Sequence, residues 1–296
     1  MCPNKIYNVF RSEMRYKLLG LIVLKLTIGK GAEMDNKSLL EHEERLELLQ
    51  SRENKVVKHN DLVQKSRFSL TLTEQKTINF LVSLIKPKKD AKEIQPLEYE
   101  FDIKQYCKIC GIDYQNGKNY KMVRDTLKSL RDKSVMMTMP DGTETSVSWL
   151  NKFWSNKGKG WAKIRFDEDI APYLFELLEN TTRYQLLNVL PMKSKYSVRL
   201  YEICRSWAGL KSHTYKIGEL RKMLDITDGE LVNFKDFRRR VLEVAQREIN
   251  EYTDLNVYFE PMSKGRKVEQ IRIHIAEKSE IEQIANEYKV NEILDN

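Results

Sequence analysis

Cysteine is scarce in this chain: four in 296 residues, too few for a disulfide framework. The expectation is a reducing compartment, the cytoplasm. Long apolar runs are lacking as well. The longest, "LLGLIVLKL" at 18–26, is too short to cross a bilayer and carries Lys25. Lys5, Arg11, Arg15 and Lys17 precede it as they would a signal sequence, but no small-residue cleavage site follows. Met34 opens "MDNKSLLEHEERLELLQ" as a natural start would, so residues 1–33 are read as an upstream extension without function. Histidine is thin too, at 42, 59, 213 and 274 only, with no H-x-H or H-E-x-x-H spacing to support metal-dependent nicking of DNA.

What is in excess is positive charge. Lys and Arg outnumber Asp and Glu by 51 to 43, a formal +8 with a pI near 9.1, which favours an anionic partner such as nucleic acid or an acidic membrane. An apolar content of 41% with 32% charged residues describes a globular protein long enough for two domains. Residues 34–53 are acidic and helix-favouring, a loose arm or a partner helix; with the extension they make an N-terminal segment, 1–53, expected to be ordered only in part. Beyond it, Thr71 and Glu74 form a capping box ahead of apolar Ile78, Leu81, Val82 and Ile85, and Pro87 closes that helix.

An internal repeat organises the rest. "FDIKQYCKICGIDYQNGKNYKMVRDTLKSL" (101–130) lies over "YKIGELRKMLDITDGELVNFKDFRRRVLEV" (215–244) without a gap at a constant offset of 114. Ile103 meets Ile217, Tyr106 meets Leu220, Cys110 meets Leu224, Val123 meets Phe237 and Leu127 meets Val241. Apolar positions match where identities do not, as two copies of one fold require. Each copy reads as strand, helix, polar turn and longer helix. Hairpin signals follow, at Pro140-Asp141-Gly142 and through "SNKGKG" in the first copy and near Gly265 in the second. A helix ahead of each (73–86; 194–207) completes a winged helix. The expected fold is therefore α+β, two tandem winged-helix domains: 54–180, then 181–276 as the main DNA reader, joined near "LENTTRYQ" (178–185). Residues 277–296 form a helical tail.

In the second copy, 100° per residue gathers Phe234, Phe237, Val241, Val244 and Ala245 on one face of the longer helix. The opposite face carries Lys235, Arg239, Gln246 and Asn250, flanked by Arg238 and Arg240. Arg reads guanine and Gln or Asn reads adenine, while Lys264, Arg266 and Lys267 at the hairpin tip suit phosphates. The first copy offers a weaker set: Lys121 and Lys128 outward beside Asp125, and Lys157 and Lys159 in its loop. "CKIC" (107–110) is read as structural, because Cys110 occupies the core position of Leu224 and no second pair exists. "GIDYQNGKN" (111–119) has the wrong glycine spacing for a phosphate loop and is read as the turn of the first helix-turn-helix. No catalytic, metal or cofactor site is expected. The rival reading is a tyrosine nucleophile, Tyr196 or Tyr201, assisted by Arg199.

Residues 54–276 resemble the iteron-binding replication initiators of theta-replicating plasmids. The resemblance rests on "KVVKHNDLVQKSRFSLTLTEQKTINFLVSLI", on "YSVRLYEICRSW" followed by "YKIGELRKML", and on "FKDFRRRVLEVAQREINEYTDL" before "VYFEPMSKGRKVEQIRIHI". It implies binding to direct repeats in double-stranded origin DNA, recruitment of the host initiator ATPase and replicative helicase, a monomer–dimer equilibrium and no membrane partner. It also implies a base-reading helix at 234–252 with Lys235, Arg238, Arg239 and Gln246 at the DNA. Wing residues Lys264, Arg266 and Lys267 would lie on the backbone, and Lys121, Arg124 and Lys128 would make secondary contacts. A dimeric, autoregulatory repressor of the same fold is the alternative.

Overall fold

The computed structural model describes residues 36–86, 95–115, 117–138, 141–175 and 179–296, with side chains from residue 40 onward. The apolar run at 18–26, the extension to residue 33, Pro87 and Pro140 lie outside the described residues. The chain divides into two units, Met1–Ser51 and Arg52–Asn296. The acidic stretch forms α1 (Asn36–Glu53), the helix its Glu- and Leu-rich composition favours.

The second unit opens with β1 (Lys55–His59), α2 (Asn60–Gln64) and β2 (Ser66–Arg67). Helix α3 (Leu72–Ser83) begins on the expected capping box: Thr71 N donates to Glu74 Oε2 at 2.7 Å, and Glu74 N to Thr71 Oγ1 at 3.3 Å. Next come β3 (Glu98–Asp102), α4 (Ile103–Cys110), α5 (Gly117–Asp132), and strands β4 (Ser134–Thr138), β5 (Glu144–Ser148), β6 (Leu150–Asn156) and β7 (Trp161–Phe166). Strand β8 (Thr181–Gln185) leads to α6 (Lys195–Ser206), β9 (Ser212–Lys216) and α7 (Ile217–Met223). Helix α8 (Phe234–Phe237) passes through a π-helical turn (Arg238–Leu242) into α9 (Glu243–Tyr252). The chain ends with β10 (Leu255–Lys264), β11 (Lys267–Glu277) and α10 (Glu280–Asp295).

The 114-residue offset carries β3 onto β9 at both ends and places Gly111 on Asp225. Both of these are left-handed, with φ of 63° and 54°. The bonds around them coincide: Ile112 N donates to Cys107 O at 2.9 Å, and Ile226 N to Arg221 O at 3.0 Å. These close the first helix of each helix-turn-helix in the same left-handed cap. Asn119, where a phosphate loop would need Ser or Thr, is buried and accepts from Gln115 N while donating to Asp113 O at 3.1 Å. It holds the turn.

Sheet order shows which hairpin is the wing. In the first copy the strands lie β3-β7-β6; in the second, β9-β11-β10. The first wing is therefore β6–β7, and β4–β5, which carries Asp141-Gly142 at its turn, is an insertion that extends β2 into a separate sheet. In the second copy only Thr253 and Asp254 separate α9 from the wing.

The expected junction is partly strand. β8 pairs antiparallel with β1, from Lys55↔Gln185 to His59↔Thr181. Beneath them lies a charged seam. Glu202 of α6 accepts from Lys58 Nζ at 2.5 Å and from Tyr184 Oη at 2.6 Å. Arg199 donates to Ser66 O at 2.9 Å and stacks over Phe68 at 4.6 Å. Burial pushes the Lys58 ammonium down. Burial raises the Glu202 carboxyl, but Lys58 and Arg199 outweigh it and hold that group below the usual carboxylate range. Helix α10 adds a strap: Asn286 donates to Thr253 O at 2.7 Å, and Leu294 abuts Gly111. Arg52 ties Asp295, at 2.9 Å, to Ile109 O, at 3.0 Å. Among the described residues no helix is long and apolar enough to cross a membrane.

Candidate nucleic-acid interface

The helix assigned to base reading spans 234–252 as expected, but it is not a regular α-helix. Glu243 N donates to Arg238 O across the π turn, one residue beyond the α-helical partner. One extra residue rotates everything downstream by about 100°. Phe237, Val241, Leu242, Ala245 and Ile249 are buried, and Val244 is displaced to the half-buried margin.

That rotation corrects the placement of two polar side chains. Gln246 Oε1 accepts from Phe259 N at 3.1 Å. Asn250 bonds Val257 twice, accepting from its N at 2.6 Å and donating to its O at 3.0 Å. Both amides satisfy the outer edge of β10, where an unpaired strand edge would otherwise be open. Gln246 is thus a structural clamp, and regular 100° spacing could not foresee it.

Ahead of the turn and in its first residues the expected cations stay outward. Lys235, Arg238, Arg239 and Arg240 are all exposed. Arg238 Nε meets Glu243 at 2.9 Å and Arg239 meets Asp236 at 3.3 Å. Pairs this exposed contribute about 0.2–1 kcal/mol, so a phosphate or a base edge can displace either acid. Among the described residues, Lys235 and Arg240 have no carboxylate within ion-pair distance.

The wing tip lies toward the same end. The rungs 250 to 257 and 246 to 259 run the helix antiparallel to β10, so its N-terminal arginines advance in the direction of Lys264. The tip is a two-residue turn, Gly265-Arg266, with φ of 63° at Gly265, as a tight hairpin requires. Lys264, Arg266 and Lys267 are exposed around it.

The first copy is the weaker version. Lys121, Arg124 and Lys128 are exposed on α5, and Arg124 is taken by Asp125 at 3.2 Å. Lys157 and Lys159 are exposed in the loop between β6 and β7, where Lys159 N is anchored by Asn156 Oδ1 at 3.1 Å.

The side chains of the nucleophile reading sit elsewhere. Tyr201 is buried, its hydroxyl donating to Asp254 Oδ1 and accepting from Asn188 Nδ2, both at 2.7 Å. Burial pushes its pKa well above the ordinary tyrosine value. Tyr196 is half-buried, and burial raises it too. Arg199, the helper in that reading, is committed to the buried charged seam beneath β1 and β8. Cys107 and Cys110 are buried thiols pushed up to about 11 and about 12 by burial, so neither is a ready thiolate at neutral pH. Among the described residues no group of His, Cys, Asp and Glu is placed to hold a metal ion.

Arg221 is a loop-positioning residue that no sequence pattern announces. Its guanidinium donates to Leu231 O at 2.9 Å and to Glu230 O, and it lies over the Phe237 ring at 5.6 Å. It fixes the loop that delivers the helix, and no spacing rule marks such a residue.

Comparison with known proteins yields two family matches. The model described as "Initiator Replication protein, WH1" covers residues 55–205, and "Initiator Rep protein, WH2" covers residues 216–275. A "Replication initiation protein" of Escherichia coli is 28% identical over 225 residues, 73% of this chain and 67% of that protein. An "Uncharacterized 27.6 kDa protein" of Escherichia coli is 24% identical over 158 residues, 50% of this chain and 65% of that protein. The solved "Crystal structure of Pi initiator protein in complex with iteron DNA" superposes with a TM-score of 0.62 at 19% identity, covering 77% of this chain and 99% of its own.

Proposed function

Because the chain belongs to the initiator replication protein family and carries both of its winged-helix domains, we propose that it initiates plasmid replication by binding direct repeats, iterons, in double-stranded origin DNA. The observation that carries this is the second domain's cationic end. Lys235, Arg238, Arg239 and Arg240 on the helix and Lys264, Arg266 and Lys267 on the wing are exposed and directed to one end by the Gln246 and Asn250 clamps. A helix of this kind enters the major groove while the wing meets the flanking backbone. The first domain, through Lys121, Arg124, Lys128, Lys157 and Lys159, adds weaker contacts on the same duplex. Joined in one unit, the domains raise each other's effective concentration on DNA.

The same proposal includes recruitment of the host initiator ATPase and helicase, and action by binding alone, with no covalent step. Gel-shift titration on tandem origin repeats and on a scrambled duplex tests it. We expect a clear preference for the repeats and one monomer per repeat by sedimentation. Equal affinity for both duplexes, or a stable dimer that prefers inverted sites, would overturn it. A covalent adduct with supercoiled origin DNA and divalent metal would overturn the binding-only part.

A further inference from the structure

We infer that Val232 is a base-reading residue, taking the C5-methyl group of a thymine in the major groove of the origin repeat; the inference rests on the origin-binding reading above. Val232 is 78% exposed, a large exposure for a β-branched apolar side chain, and it stands one residue before Asn233, the N-cap of α8. Recognition helices of the helix-turn-helix class meet base edges with their N-terminal residues. Thymine is the base that offers an apolar group there.

The surrounding loop is built to hold Val232 outward. Thr227 N and Oγ1 both donate to Glu230 Oε2 at 3.0 Å, and Glu230 N returns to Thr227 O at 3.1 Å. Arg221 grips the carbonyls of Glu230 and Leu231. Leu231 is left-handed at φ 46° and Gly229 at φ 100°. A leucine in that region is strained, and the Arg221 grip, anchored over buried Phe237, keeps it there. The hydrogen bonds and the Arg221 grip thus fix the loop that carries Val232. The first copy, at the same offset, has Lys118 in place of Val232 and no positive φ at Gly117. Apolar reading is therefore assigned to the second domain.

The test uses the full chain and an origin-repeat duplex in which each thymine is replaced, one at a time, by deoxyuridine. That change keeps base pairing and removes only the methyl group. For the wild type, at least one replacement should weaken binding about three- to fivefold, the effect of one buried methyl-sized group. Val232→Ala should bind the unmodified repeat about three- to fivefold more weakly and be indifferent to that same replacement. Val232→Ile should keep the sensitivity. Because Val232 is exposed, the variants should unfold at the wild-type temperature. If Val232→Ala shows the wild-type pattern of deoxyuridine sensitivity, or if no thymine position matters to the wild type although it prefers the repeat, the assignment is wrong and origin binding stands. If the wild type does not prefer the repeat at all, both fall.

Discussion

Gln246 Oε1 and the backbone N–H of Phe259 meet at 3.1 Å, and this bond ties the arginine-bearing helix to the first strand of its wing. Its neighbour Asn250 makes the same connection at Val257. Helix and hairpin are thus tied together along β10. Asn250→Ala should destabilise the chain by about 1–3 kcal/mol, since it strands two backbone groups at the edge of β10. Urea unfolding checks the loss. A variant as stable as the wild type would show that the clamp does not matter.

Arg239 is 63% exposed and pairs with Asp236 at 3.3 Å. Arg239→Ala should reduce affinity for the repeats at least tenfold, equal to about 1.4 kcal/mol, with the unfolding midpoint unchanged. A gel-shift titration at physiological salt decides it.

Lys264 and Arg266 test the wing differently. Removing one cation from a phosphate should lower the slope of log affinity against log salt by about 0.9. The double change Lys264→Ala with Arg266→Ala should therefore flatten the salt dependence while leaving the preference for repeat over scrambled DNA nearly intact. An unaltered slope would place the wing off the DNA.

The two left-handed turns should respond oppositely to substitution. At Gly111 a β-carbon would lie 2.8 Å from Leu294 Cδ2, with φ at 63°. Gly111→Ala should cost about 1–2 kcal/mol from the left-handed backbone, and more from the clash with α10. Asp225 occupies the equivalent turn with a side chain already in place, so Asp225→Gly should be neutral or slightly stabilising. Paired unfolding curves give both signs.

Acid should open the charged seam beneath β1 and β8. The folded pKa of Glu202 lies below its unfolded value, because Lys58 and Arg199 outweigh its burial. Its contribution is therefore complete above the unfolded carboxylate pKa and is lost as pH falls through the folded one. Glu202→Gln should destabilise the protein by about 3–5 kcal/mol at neutral pH, since it leaves buried cations uncompensated. It should also flatten the decline in unfolding midpoint below about pH 4.5, near the ordinary carboxylate value. A parallel decline in both proteins would assign acid sensitivity elsewhere.

Much of the architecture could be read from residue order. Apolar residues at matching offsets force the same helices to bury the same faces, so Val123 with Phe237 and Leu127 with Val241 sit in equivalent cores. The capping box at Thr71, the glycine-tipped hairpin at 265 and the exposed cations on helix and wing follow from local chemistry that acts within a few residues.

Other features depend on contacts between distant segments. Whether β4–β5 or β6–β7 is the wing rests on which strand β3 accepts as a partner. Gln246 turns to β10 because a π turn, invisible to an average of 100° per residue, rotates the helix beneath it. Arg199 becomes a long-range bolt because Ser66 and Phe68, more than a hundred residues earlier, close over it. Local periodicity carries the two-copy plan and its charge; long-range packing chooses which of those polar side chains remain free to meet DNA.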